Sequence, residues 1–465
     1  MGTILIKNAR VLDGTGRNPF RADVSVRDNR IDGVHAVGGT SGSASAMGTP
    51  SRYGTASQGA GVVPGIGIGD SRNGGGGAAA ANGADTIIDA QGATLMPGLV
   101  EAHAHPSFLN FERIEQVGEI PPEEHALGTL KNAQLLLDYG FTSLFCAASA
   151  RKRADIVVRN AIASGQFRGP RMLAASPEMT PTAGLGDVKM DHMDRLSFAI
   201  VCDGADEFRK TARMMVREGA DILKINPSGD EFVPHSKGHV TCMTEAEIAA
   251  VCEVGLAHDK LIAAHARSAQ SVKWCLKHGA QVIYHANYAD DEALAMMVDQ
   301  RDRIFVAPAL GVAVATLNDA ADWGITHADA VALGLQDALD YGARHMKHLL
   351  KAGVRVLPGG DYGFAWNPVG NNARDLEHFV RYLGMSPMEA IIAATRWGGE
   401  LMQRGGELGQ VQAGYLADLI LVDGDPLADI RVLQDKQRIV CVIKDGQVEK
   451  MTMPQRAAAG YRVAA

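Results

Sequence analysis

The sequence lacks the features that mark secreted, membrane-embedded and nucleic-acid-binding proteins. Its six cysteines form no Cys-x-x-Cys pair and no disulfide-like spacing, so we interpret them as small buried apolar residues in a reducing cytoplasm. No apolar run reaches the length of a membrane span, and the first residues show no signal-peptide pattern. The net charge of −8 is spread along the chain without a basic stripe, which argues against a nucleic-acid partner.

What the sequence contains is an alternation of apolar strands and amphipathic helices that begins near residue 95. The candidate strands are residues 95–103, 141–149, 170–176, 221–226, 260–266, 281–286, 303–309 and 355–361. The stretches between them carry apolar residues at every third or fourth position, as amphipathic helices do. Repeated strand–helix alternation indicates a parallel sheet, and eight strands are the number that a closed barrel needs. The predicted fold class is therefore α/β, with a (β/α)₈ TIM barrel.

Both ends of the chain differ from this central part, because short alternating strands with turn signals occur there. We predict that the two ends pack together as one small β-sandwich. The predicted units are residues 1–92 and 409–465 for the sandwich and 93–408 for the barrel. Residues 37–84 are rich in Gly, Ser and Ala, and predict a flexible insertion. No Gly-x-x-x-x-Gly-Lys-Ser/Thr pattern follows the glycines, which disfavours a phosphate-binding loop.

Two histidines, His103 and His105, stand at the end of the first predicted barrel strand. Side chains at positions i and i+2 of a strand point to the same face, so both imidazoles can bind one cation. A single His-x-His pair is weak evidence by itself. Its position strengthens the prediction of a metal site, since barrel active sites lie at the carboxyl ends of the strands.

Four more barrel strands carry a metal-competent side chain towards the same end, namely Lys224, His265, His285 and Asp361. Each histidine alone would more often be structural, and the lysine ammonium could reach solvent at the barrel rim. A buried lysine beside two cations would instead be neutral, and could add CO₂ to become a bridging carbamate. Six such groups on five strands together indicate a centre for two divalent metal ions.

These motifs resemble the amidohydrolase superfamily in its binuclear subtype with a carboxylated lysine. The resemblance rests on MPGLVEAHAHP, ILKI, AAHARS, VIYHA, PGGD and the C-terminal segment ELGQVQAGYLADLILVDGDPLADI. It covers essentially the whole chain apart from the glycine-rich insertion, and it implies a homo-oligomer. The implied ligands are His103, His105 and Asp361 for the more buried metal, His265 and His285 for the second, and carboxylated Lys224 between them. Zinc is the default for such a donor set, and cobalt or manganese are alternatives.

The expected chemistry is hydrolysis by a hydroxide held between the two cations. Asp361 is expected to accept the proton of the attacking water and to pass it to the leaving nitrogen. Tyr288 could donate a hydrogen bond to the developing oxyanion, or could merely pack. Arg267 could grip a substrate carboxylate in bidentate fashion, or could form a surface ion pair.

The loops that follow the strands carry the candidate substrate-binding residues. His192, His235 and His239 are candidates there, although each is also typical of a solvated loop. Phe364 and Trp366 are expected to form an apolar wall in the eighth loop. These features favour a small-molecule substrate.

Within the superfamily the motifs most resemble the imidazolonepropionase-related branch, which includes Xaa-Pro dipeptidases, N-acyl amino-acid hydrolases, and phenylurea and thiocarbamate herbicide hydrolases. The aromatic eighth loop and the chain length favour the herbicide hydrolases. A dipeptidase or N-acyl amino-acid hydrolase is the alternative, and it would need a cationic anchor such as Arg267. A catalytically inactive scaffold is disfavoured, because all six ligand positions are filled.

Overall fold

The computed structural model describes residues 2–37, 84–193 and 195–453, so the predicted insertion at 37–84 lies almost wholly outside the described residues. Its strands are β1 (Thr3–Val11), β2 (Phe20–Arg27), β3 (Arg30–Ala36), β4 (Thr86–Asp89), β5 (Thr94–Pro97), β6 (Leu99–Ala104), β7 (Phe141–Cys146), β8 (Arg171–Leu173), β9 (Ala175–Thr180), β10 (Ile200–Val201), β11 (Ile222–Ile225), β12 (Leu261–Ser268), β13 (Val282–Tyr288), β14 (Phe305–Ala307), β15 (Arg355–Val356), β16 (Leu419–Val422), β17 (Ile439–Lys444) and β18 (Gln447–Met451).

The central strands form the predicted barrel. Parallel pairing runs in chain order from β6 through β7 to β8, and from β9 through β11, β12, β13 and β14 to β15. Strands β8 and β9 follow each other along the chain and so connect the two runs, while β10 adds a short strand beside β9. The ring closes where the Ala102 amide donates to the Pro358 carbonyl at 3.4 Å.

Helices alternate with these strands, as the apolar periodicity predicts. They are α1 (Pro122–Asp138), α2 (Ala154–Ala163), α3 (Ala205–Glu218), α4 (Glu245–Ala257), α5 (Ala269–His278), α6 (Asp291–Asp299), α7 (Leu310–Asp319), α8 (His327–Leu333), α9 (Leu335–Lys351), α10 (Arg374–His378), α11 (Pro387–Ile392) and α12 (Gly398–Leu401). Local sequence sets several ends: Thr244 caps α4 in a capping box, and Gly219 ends α3 in the left-handed conformation. No described helix is long and apolar enough to cross a membrane.

The two ends of the chain share one sheet, in the order β18-β17-β16-β5-β1-β2-β3, with β4 beside β1. Strand β5 joins the ends, since it pairs parallel to β1 and antiparallel to β16. Along β16, Leu419 and Leu421 enter the apolar core of this sheet, whereas Ile420 and Val422 enter the barrel core. The terminal sheet is thereby packed directly on the barrel.

Two strand predictions need correction. The predicted strand 95–103 is interrupted at Gly98, so that β5 belongs to the terminal sheet and β6 to the barrel. A Cβ atom at Gly98 would lie 2.1 Å from Thr142 Oγ1, so this close approach requires glycine. The third predicted barrel strand, 170–176, is divided at Ala174 into β8 and β9, and β9 runs through Pro177 to Thr180.

Candidate metal centre

The six predicted ligands lie at the carboxyl end of the barrel, on β6 or just after it, on β11, β12 and β13, and after β15. Five of them are buried, and Asp361, with 17% of its side chain exposed, is the most open of the six. Burial of so many ionisable groups at one place is costly unless they share a partner.

The first group consists of His103, His105 and Asp361. The Oδ1 atom of Asp361 lies 3.1 Å from His105 Nε2 and 4.0 Å from His103 Nε2. One potential ligand atom from each of the three residues lies within 4.8 Å of the others, which is close enough to hold a single ion. The Nδ1 atom of His105 lies 3.2 Å from the Ala148 carbonyl oxygen, which orients the ring towards Asp361.

The second group lies directly beside the first. The rings of His265 and His285 are 4.3 Å apart between centroids, and His285 lies 5.5 Å from His103. Lys224 Nζ lies 4.4 Å from the ring centroid of Tyr284, whose ring stacks on His103 at 3.7 Å. The structure therefore brings all six predicted groups to one place.

Burial sets the protonation of these groups. It lowers the pKa of His103 and of His285 well below the usual value, and it lowers the pKa of His265 to about 3. Burial also lowers the pKa of Lys224, although the nearby carboxylates of Glu178 and Asp361 oppose this effect. Neutral imidazoles are the form that binds cations, so the histidines are prepared for that role.

The buried nitrogens fit a metal centre. Neither ring nitrogen of His285, nor Nδ1 of His103, has a hydrogen-bond partner among the described residues. Each unsatisfied buried polar atom costs about 1–3 kcal/mol, and a cation bound through one nitrogen of each ring would remove part of this cost. The Nε2 atom of His265 lies 3.0 Å from the Gly229 carbonyl oxygen, which leaves Nδ1 as the nitrogen available to a metal. Imidazole and carboxylate donors suit zinc, cobalt or manganese.

The backbone is strained at two of the six positions. His285 has φ 72° and Asp361 has φ 59°, in the left-handed region that side chains other than glycine seldom occupy. Such conformations cost about 1–3 kcal/mol each and cluster at functional sites. The strain supports a functional role for His285, within β13, and for Asp361, after β15.

A Gly359→Ala substitution is expected to damage this centre. A Cβ atom there would lie 2.7 Å from His103 Cβ and 2.8 Å from His103 N, so the strand that carries His103 would have to move. We expect a loss of about 1–3 kcal/mol in the free energy of unfolding, together with reduced metal content. Chemical denaturation and metal analysis measure both effects.

Gly406→Ala is the matched control for this substitution, because no atom lies within 4 Å of a Cβ placed at Gly406. The control is expected to change stability by less than about 0.5 kcal/mol. Equal stability and equal metal content in both alanine variants would contradict the tight approach of Gly359 to His103.

Arg267 and Tyr288 lie next to His265 and His285. Both of them contact Glu231. The guanidinium of Arg267 is buried and pairs with Asp230 at 2.9 Å and with Glu231 at 3.3 Å. Tyr288 is partly exposed, and its hydroxyl donates to Glu231 Oε1 at 2.6 Å. The ion pair of Arg267 is thus a buried one, and the surface ion pair considered from the sequence is wrong.

Aromatic rings lead outward from His105. Phe108 stacks on His105 at 4.2 Å and meets Phe364 edge-on at 6.1 Å, and Phe364 stacks on Trp366 at 5.4 Å. Phe232 of the loop after β11 lies 6.2 Å from Trp366 and is 38% exposed. The two rings predicted to form an apolar wall, Phe364 and Trp366, therefore stack on each other, and Trp366 is buried.

The three candidate histidines of the loops do not share the burial of the six predicted ligands. His192, His235 and His239 are all exposed. His239 lies 6.3 Å from Tyr288 between ring centroids. For His192 and His235, no described hydrogen bond or ring contact joins them to the six predicted ligands.

Three buried carboxylates at this end of the barrel are not among the predicted site residues: Glu178, Asp230 and Glu231. Glu178 stands opposite Lys224 in the β9–β11 register and accepts a hydrogen bond from Asn226 at 2.8 Å. Pro177 is the reason that the strand was predicted to end too early, because proline is rare within sheets. The signal in the sequence for a site residue here is the carboxylate of Glu178, which comes just after an apolar strand.

The sequence matches a known protein family over most of its length. A profile of the amidohydrolase family matches residues 94–448. The chain belongs to the amidohydrolase family. This membership confirms the resemblance inferred from the ligand motifs.

Individual relatives of this amidohydrolase are distant. Ochratoxinase from Aspergillus niger is 26% identical over 310 residues, a match that spans 63% of each sequence. Its crystal structure superposes with a TM-score of 0.76 at 22% identity and covers 97% of this chain and 96% of that one.

Two other solved structures share the fold. A Xaa-Pro dipeptidase with bound methionine in the active site has a TM-score of 0.75 at 24% identity, covering 96% of this chain and 99% of that one. Molinate hydrolase has a TM-score of 0.69 at 19% identity, covering 100% of this chain and 98% of that one. At these identities the structures establish the fold alone.

Proposed function

We propose that this amidohydrolase hydrolyses an amide-type carbon–nitrogen bond of a small molecule, using two divalent cations. The observation that carries the proposal is the gathering of six metal-competent groups, three of whose buried imidazole nitrogens have no partner among the described residues. The proposed ligands are His103, His105 and Asp361 for one cation, His265 and His285 for the other, and Lys224 as a carbamate between them. When bound, such cations polarise a carbonyl group and lower the pKa of water.

Asp361 is the group proposed to move the proton. Burial raises its pKa, but the hydrogen bond from His105, whose Nε2 lies 3.1 Å from Oδ1, opposes burial, and the pKa stays below its usual range. Asp361 is therefore ionised at neutral pH, which is the form that a general base needs, and its proposed role depends on its position beside the water rather than on strong basicity. Because its side chain is the most open of the six, its Oδ atoms can take a proton from water and deliver it to the leaving nitrogen.

The row of aromatic side chains Phe108, Phe364 and Trp366 supports a substrate with an aromatic or other apolar group. Aromatic side chains stack with rings and bury apolar surface, so they favour such a group beside the scissile bond. Phenylureas and thiocarbamates fit this description, and molinate hydrolase and ochratoxinase share the fold. Phe232, at the end of this row, is 38% exposed and could meet such a group first.

A dipeptidase or N-acyl amino-acid hydrolase is the second candidate, supported by the shared fold of the Xaa-Pro dipeptidase. Such substrates carry a free carboxylate, which needs a cationic partner in a desolvated site. Arg267 is the cation beside the second histidine pair, and it is already paired with Asp230 and Glu231. This pairing favours the uncharged substrates.

A substrate panel tests the proposal directly. Metal-loaded protein is incubated with a phenylurea, a thiocarbamate, an N-acyl amino acid and a Xaa-Pro dipeptide, and product release is followed by chromatography. We expect turnover of an uncharged substrate that stops after removal of metal with a chelator and returns with zinc, cobalt or manganese. An active sample that is free of transition metals and indifferent to chelators would contradict the proposal.

A further inference from the structure

Four side chains form a closed charged cluster beside His265 and His285: Arg267, Asp230, Glu231 and Tyr288. In this Arg267 cluster, the guanidinium and both carboxylates are buried, with Arg267 4%, Asp230 6% and Glu231 2% exposed. The buried part of the cluster thus contains one basic and two acidic side chains. An ion pair needs only one carboxylate, so the second one calls for an explanation.

The two carboxylates have different contacts. Asp230 Oδ2 lies 2.9 Å from Arg267 Nη2 and 3.6 Å from His265 Nε2, so it pairs with the guanidinium and faces the histidine. Glu231 Oε1 accepts the Tyr288 hydroxyl at 2.6 Å, and Oε2 lies 3.3 Å from Arg267 Nη1 as an ion pair. This Oε2 atom has no hydrogen-bond partner among the described residues, because Arg267 Nη1 donates to Asn287 Oδ1 at 2.8 Å. A guanidinium and a phenol hydroxyl on one carboxylate are the contacts that would recognise a free acid in a ligand.

The Arg267 cluster lies next to the proposed metal centre. Arg267 follows His265 by two residues on β12, and Tyr288 follows His285 by three on β13. The positive charge of Arg267 is close enough to contribute to the lowered pKa of both histidines. Tyr288 is partly exposed, so one edge of the cluster contacts solvent.

The loop after β11 holds Glu231 in this position. Lys237 Nζ donates to the Glu231 carbonyl at 2.7 Å, and the Gly229 amide donates to the Val240 carbonyl at 3.1 Å. Gly238 closes the loop tightly, since a Cβ atom there would lie 2.4 Å from Glu231 Oε1 and 2.9 Å from Tyr288 Cε2. The packing of this loop therefore fixes the position of Glu231 beside Arg267 and Tyr288.

We propose that Glu231 is a specificity-determining residue, an internal carboxylate that occupies the Arg267–Tyr288 pair and excludes substrates with a free carboxylate there. The inference rests on the proposed amide hydrolysis and narrows its substrates to uncharged ones at this position. A second anion beside Glu231 would meet like charge with its cationic partner already taken. A neutral carboxamide could instead donate its N–H groups towards the two acidic side chains.

The test uses a matched pair of ligands, an N-acyl amino acid with an aromatic acyl group and its carboxamide, which differ only in charge. For metal-loaded wild type, we expect tighter binding by calorimetry and higher kcat/KM for the carboxamide. Glu231→Gln keeps the shape and an acceptor for Tyr288 but removes the charge. We expect it to shift the acid-to-amide ratio of kcat/KM towards the acid by about tenfold or more.

A residue that only holds the loop would change both ligands alike, so the ratio separates specificity from structure. Glu292→Gln, an exposed carboxylate on α6, is the control and is expected to leave the ratio unchanged. Tighter binding of the free acid to wild type would overturn the inference, even if the Glu231 variant fails to fold. Binding is measured apart from turnover, so a carboxamide that binds but is not hydrolysed would count against the proposed function instead.

Discussion

An Asp361→Asn variant is expected to keep the fold and to lose about 10²–10⁴-fold in kcat, the range attributed to general acid–base catalysis. The amide has nearly the same shape as the carboxylate, and its oxygen can still face His105, which lies 3.1 Å from Asp361 Oδ1. It cannot accept a proton from water at neutral pH. Steady-state kinetics on the uncharged substrate found in the panel, with metal analysis of the same sample, measures the effect.

Asparagine is the better replacement at this position because of the backbone. Asp361 has φ 59°, a conformation that asparagine and aspartate tolerate better than alanine does. The hydrogen bond from Asn367 to the Asp361 carbonyl at 2.9 Å involves the main chain and is retained. Near-normal turnover in a folded, metal-loaded Asn variant would refute the proton-transfer role, whereas loss of both metal and turnover would assign Asp361 to metal binding alone.

The candidate ligands could be predicted because the barrel converts sequence position into spatial position. A residue at the carboxyl end of any barrel strand lies at the same rim, whatever its distance along the chain. Thus His103 and Asp361, far apart in sequence, could be placed together from strand ends alone. The fold followed in the same way from the alternation of strands and helices.

The surroundings of Arg267 could not be predicted, because they depend on how a loop folds back. Asp230 and Glu231 precede Arg267 by more than thirty positions, in a loop without hydrophobic periodicity. Their approach is set by tertiary contacts such as the close packing of Gly238, and no local pattern encodes it. The sequence therefore left open whether the guanidinium faced solvent, a substrate or a buried partner.

The interruption of the strand at Gly98 could not be predicted from the sequence, for a related reason. Residues on both sides are apolar, so one continuous strand was the simplest reading of the pattern. The neighbouring Thr142 side chain and the competing pairing of β5 with β16 determine where the strand changes sheets. Both are partners from distant parts of the chain.

Removal of the lysine is expected to dismantle half of the proposed metal centre. Lys224 is 1% exposed, and burial lowers its pKa, which favours the neutral amine that can attack CO₂. The new N–C bond and the loss of one proton would give a carbamate with two oxygens for metal binding. Lys224→Met keeps a similar length but has no amine, so we expect bound metal to fall from about two to about one per chain.

Metal analysis after dialysis measures this fall, and reconstitution of metal-free wild type with and without bicarbonate tests the chemistry behind it. Bicarbonate is expected to be required for uptake of the second ion by wild type. Lys277→Met, which removes an exposed amine, should keep both ions and the bicarbonate requirement. If Lys224→Met binds metal as wild type does, then the lysine serves as the buried counter-ion of Glu178, which it faces across β9 and β11, and the bridge must come from another group.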